Sequence, residues 1–110
     1  MIPGPPAPGP GEVLRAAQHL ADRLRVLGPR WAARDRAEDE VPVAAVRAAL
    51  QRLADAAARA EDRRARPVPD IGLHALGDQL LVLARDAAGS GDQAALDEAA
   101  LVLADLRRTL

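Results

Sequence analysis

Pro42 to Ala60 read PVAAVRAALQRLADAAARA, and this stretch decides the fold class. Val43, Val46, Leu50, Leu53, Ala57 and Ala60 recur at alternating spacings of three and four. That is the period of one helix face, not the two-residue alternation of a strand. Pro42 suits a first helical turn, where its missing N–H breaks no bond, and Asp39 and Glu40 suit the positive end of the dipole. The stripe passes from valine and leucine to alanine, so a neighbouring helix can come close along its second half. Arg63, Arg64 and Arg66 crowd the far end, where positive charge is favoured. Pro67 and Pro69 then forbid helical continuation.

The same pattern recurs on either side. Upstream, Val13, Ala17, Leu20, Leu24 and Leu27 trace one face of a helix expected from Glu12 to Leu27. Gly28 and Pro29 read as its stop. A short helical turn is expected over residues 30–37, around Trp31. Downstream, Asp70 reads as the N-cap of a third helix with the stripe Leu73, Leu76, Leu80, Leu83 and Ala87, closed by Gly89. Ser90 and Gln93 have capping-box spacing for a fourth helix, with Asp92 beside them. Its stripe is Leu96, Ala99, Leu103, Leu106 and Leu110.

Four stripes with heptad-like spacing predict an all-α protein, an antiparallel four-helix bundle in which short connections make successive helices antiparallel neighbours. Helices of this length are marginal alone, so packing must stabilise them. Residues 1–11 hold five of the nine prolines and three of the eight glycines. They predict a disordered Pro/Gly-rich tail. Residues 12–110 then form a single helical-bundle domain.

Composition narrows the function. Hydrophobic residues make up 49% of the chain with Trp31 as the one aromatic, so the core is aliphatic. The 15 basic residues, all arginine, nearly balance 16 acidic ones and leave a net charge of −1. Phosphate backbones need a clustered positive excess, so no nucleic-acid partner is expected. No cysteine is present, which removes disulfides, thiolate chemistry and cysteine metal sites. No apolar run reaches the length of a membrane span and no signal peptide is read, so a cytoplasmic protein without a membrane partner is expected.

The third and fourth helices carry more apolar side chains than their stripes need. Leu81, Val82, Leu101 and Val102 lie off the seam, and contiguous exposed apolar surface marks a binding face. The expected function is therefore non-catalytic: an interaction module pairing with itself as a homodimer, or with another helical protein. Leu81, Val82, Leu101 and Val102 form the surface, with Trp31 as an anchor. The alternative is that the Trp31 segment covers these residues within one chain.

His74 is the one candidate for chemistry. Asp78 follows one turn later, and an i, i+4 carboxylate can orient an imidazole. The run His74-Ala75-Leu76-Gly77-Asp78 resembles the His-x-Leu-Lys-Gly run of histidine phosphotransfer domains, which are four-helix bundles of similar size. Gly77 stands where that family has lysine, and Asp78 where it has glycine. The resemblance implies His74 as a phosphoryl acceptor with Asp78 beside it. Gly77 inside a helix implies a close approach, with Trp31 as the residue expected to fill the space. His19 lies on the outer side of the first helix near Arg15 and Arg23. No metal or other cofactor is expected, because no carboxylate–histidine pattern accompanies the two histidines.

Overall fold

A computed structural model describes residues 6–34 and 36–110. The chain is all-α, and four helices pack into a bundle. They are α1 (Pro10–Arg34), α2 (Glu40–Ala60), α3 (Leu76–Gly89) and α4 (Gln93–Thr109), with 3-10 turns at Ala37–Asp39 and Leu73–Ala75. Of the tail expected over 1–11, residues 1–5 lie outside the described residues. Pro10 and Gly11 already belong to α1. Proline fits a first helical position, and the Val13 amide donates to Gly9 O at 3.2 Å.

α1 does not stop at Gly28–Pro29. An interior proline costs about 3 kcal/mol through its lost hydrogen bond and its clash with the preceding turn. The helix continues because the residues around Pro29 are held from outside. Trp31 is buried in the core, 5% exposed. Truncating a buried tryptophan costs about 3–5 kcal/mol, which is large enough to offset the proline. Gly28 is a close-approach residue and not a C-cap: a Cβ there would stand 2.3 Å from Leu73 O. Gly77 mirrors it across the same crossing, where a Cβ would meet Ala21 O at 2.7 Å. The backbone of α1, not Trp31, fills the space beside Gly77.

α1 packs against α3 and α4, and α2 packs against those same two helices. α1 and α2 stand at opposite corners although only a short link joins them. Leu73 over Gly28 and Gly77 against Ala21 set α3 antiparallel to α1. Gln93 donates to Pro8 O, and Arg23 donates to Leu110 O, so α4 runs parallel to α1. Successive helices are thus not simply antiparallel neighbours. Residues 61–72 run back along α2 without helix. Gln51 holds Arg66 and Val68, and Arg47 pairs with Asp70 at 2.9 Å. This return delivers the start of α3 to the end of the bundle where α2 begins, and α2 and α3 run parallel.

The turns differ from their sequence reading in detail. Asp70 does not cap α3. Its carboxylate accepts the Gly72 amide at 3.0 Å, and Gly72 has φ +105°, a value that favours glycine. The Gly72 amide, and then Arg47, hold the Asp70 carboxyl below the usual carboxylate range. A depressed folded value means that this turn favours folding above the unfolded pKa and loses that contribution as pH falls through the lowered value. In an NMR titration the Gly72 amide shift follows a midpoint below that of an ordinary aspartate. A midpoint at or above the ordinary value overturns the turn geometry.

At the α3–α4 turn, Asp92 and not Ser90 is the N-cap, accepting Ala95 N at 3.0 Å. Ser90 instead donates to Ala87 O at 2.7 Å and accepts the Asp92 amide at 3.3 Å. Asp92 is closer to the first helical amides, so it outcompetes the expected capping box.

The core confirms the stripes and widens two of them. Leu24, Leu50, Leu53, Leu76, Leu80 and Leu103 are fully buried. α3 and α4 each meet all three other helices, so each buries an arc broader than a single seam. On α3 that arc includes Gly77, Leu81, Ala84 and Ala88, while Leu73 and Leu83 are only partly buried. On α4 it includes Ala95 and Val102.

Candidate interaction surface

The broad arcs correct the expected surface. Leu81 is 8% exposed and Val102 1%, so both are core residues. Trp31 is buried in the same core but toward the other end of the bundle, past the Gly28–Leu73 crossing, and cannot anchor a partner without unfolding α1's last turns. Val82 and Leu101 remain exposed, at 54% and 52%. They do not form one patch. α3 and α4 hold two opposite corners of the bundle, so their outward faces point to different sides.

Leu101 sits among charged and small neighbours on its helix. Val82 has more apolar company. It lines a groove of about 480 Å³ bounded by α2, α3 and the return segment 61–72. Val68, Ile71 and Leu83 share this groove with Val82, and Ile71 is 56% exposed. The sequence reading missed Ile71 and Val68 because they precede a helix and belong to no stripe. Their signal is a non-helical apolar pair in RPVPDIG, a segment whose prolines prevent burial by helix packing.

The groove has two unlike banks. Arg63 and Arg66 stand on the return segment, and Asp78 and Asp86 flank Val82 at four-residue spacing on α3. Arg63 pairs with Glu61 at 2.6 Å, and Asp78 accepts from Arg25 at 2.8 Å. Arg66 and Asp86 have no ion-pair partner among the described residues.

Gln51 keeps the basic bank in place. Its Nε2 donates to Asp55 at 2.9 Å and to Arg66 O at 3.0 Å, and its Oε1 accepts the Val68 amide at 2.8 Å. Gln51→Ala is expected to lower stability by about 1–2 kcal/mol, the net worth of a few partly buried hydrogen bonds. Hydrogen exchange at the Val68 amide is expected to accelerate more than exchange inside α2. Uniform acceleration would show that the return segment is held by packing alone.

His74 and Asp78 are not brought together. His74 is exposed in the 3-10 turn before α3. A Cβ on Gly72 would stand 2.8 Å from His74 Cε1, so the ring lies back over Gly72. The Asp78 carboxylate faces Arg25 instead, receiving Nε at 3.2 Å and a terminal guanidinium nitrogen at 2.8 Å. An arginine offers two donors to a carboxylate at once, which a single imidazole nitrogen does not.

A second groove, of about 740 Å³, lies between α1 and α4 and includes His19. Among the described residues, no three His, Asp or Glu side chains gather to hold a metal. No helix among them is long and apolar enough to cross a membrane. Compared with known proteins, the chain matches no family model, no curated protein and no solved structure.

Proposed function

We propose that this chain is a non-catalytic cytoplasmic interaction module that pairs with a second copy of itself through the groove between α3 and the return segment. One observation carries the reading: an apolar floor with exposed Val82 and Ile71 lies between a basic bank and an acidic one. A two-fold interface presents the same patch from both copies. Such a patch must be its own complement. Arg63 and Arg66 of one copy then meet Asp78 and Asp86 of the other, while Val82 and Ile71 bury against their counterparts. A standard interface takes roughly 800 Å² from each partner, a modest share of the 6811 Å² that the chain exposes.

Sedimentation of the wild type is expected to show a dimer, and Val82→Glu or Ile71→Glu a monomer with unchanged helical circular dichroism. Leu101→Glu should leave the dimer intact, which separates this surface from one on α4. Arg66→Glu should weaken pairing and Asp86→Arg in the same chain restore it. A wild type that sediments as a monomer at millimolar concentration overturns the proposal, as does a dimer broken by Leu101→Glu alone.

A further inference from the structure

The α1–α4 groove shares no lining residue with the self-association surface. Its floor is hydrocarbon: Val13, Leu20 and Leu103 belong to the core. Its walls follow helical spacing. Glu12, Ala16, His19 and Arg23 rise along α1, and Ala100, Ala104 and Arg107 along α4. The three alanines leave the middle open.

The ends differ in charge. α1 and α4 run parallel, so Arg23, Arg107 and Arg108 come together at one end, with His19 a turn away. Arg108 is paired with Asp105, and Arg23 donates to Leu110 O at 2.8 Å. Arg107 has no ion-pair partner among the described residues. Glu12 is the acid at the opposite end. From Glu12 to Arg23 the groove runs about 16 Å at 1.5 Å per residue. Its volume falls among those of small-molecule clefts, which reach several hundred Å³.

We propose that this groove binds a medium-chain fatty acid, with the carboxylate at Arg23 and Arg107 and the chain laid past Ala16, Ala100 and Ala104. The two charged ends set the direction: arginine forks match a carboxylate, and Glu12 repels one. An extended chain with a single anionic head satisfies the apolar middle and the basic end together.

Dodecanoate, kept below its micelle concentration and titrated into the full chain, tests the proposal by amide chemical shifts. Saturable shifts over residues 12–23 and 100–108 are expected. Arg107→Gln should weaken binding about tenfold, the usual effect of losing a charge-assisted hydrogen bond. Ala104→Leu, at an exposed wall position, should block binding while circular dichroism stays helical. Dodecanol, which lacks the charge, should bind more weakly by a similar factor. Binding of dodecanol as tight as dodecanoate overturns the proposal. So does insensitivity to both substitutions, a shift pattern centred on residues 61–86, or binding to anionic lipid vesicles without binding to free dodecanoate. None of these results depends on whether the chain dimerises through its other groove.

Discussion

Trp31→Ala is expected to lower stability by about 3–5 kcal/mol, the cost of emptying a buried tryptophan site. Small domains hold only about 5–15 kcal/mol in all, so the variant stands near the edge of folding. The melting temperature should fall by well over 10 °C, at roughly 4–8 °C per kcal/mol for a domain near this size. The mechanism makes a finer prediction. Trp31 lies just past Pro29 and is the main apolar side chain fastening the last turns of α1. Without it, the proline penalty is no longer offset, and amides from residue 30 to Arg34 should exchange faster than those of the earlier turns. Trp31→Phe keeps much of the buried area and should recover most of the stability. A loss below about 1 kcal/mol in urea titrations of Trp31→Ala would show that this end of α1 is not held by core packing.

Gly28→Ala reverses what helix propensity alone predicts. Alanine is favoured over glycine inside a helix by about 1 kcal/mol, so a free helix would gain from the change. Here the new Cβ would stand 2.3 Å from Leu73 O and 3.1 Å from its carbonyl carbon. Both atoms are backbone, so no side-chain rotation relieves the clash. The turn before α3 must shift away from α1, and such overpacking costs about 1–3 kcal/mol. The expected net effect is destabilisation. Gly77→Ala should behave alike, because its neighbour is also backbone, Ala21 O at 2.7 Å. The sign of the change is the test: a more stable Gly28→Ala variant in thermal unfolding would mean that α1 and α3 do not approach through these glycines.

The two glycines show how far the sequence could be read. Gly28 beside Pro29 has the composition of a helix stop, yet α1 runs through both residues. Nothing within ten residues reveals that Leu73 will cross it. The apolar excess on the last two helices is similar. Leu81 and Val102 lie off a single seam, which is consistent with an exposed surface or with a second buried seam. The choice turns on how many neighbours each helix has. α3 and α4 each touch three helices, so the second seam is core. Val82 lies beyond even that wider arc and is exposed. Its companions Ile71 and Val68 were invisible to periodicity, because the return segment has none.

Charged partners were legible only where they share a helix. The spacing of His74 and Asp78 was right for contact, yet Arg25 from α1 takes the carboxylate. Likewise Arg23 and Arg107 lie 84 positions apart in the chain. Their meeting depends on α4 running parallel to α1.

The amino-acid order by itself determined four helices, one apolar stripe on each and an aliphatic core, along with the turn near Ser90; it set the end of the second helix at Pro67–Pro69, whereas α2 already ends at Ala60. These follow from side-chain period and from proline and glycine backbone limits, which act within a turn or two. Tertiary structure alone decided that α1 passes through Gly28–Pro29, that α3 follows the direction of α2, and which surplus leucines and valines face water. It also made both grooves. Those outcomes rest on contacts between distant residues, whose free energies of several kcal/mol override local preferences of about one.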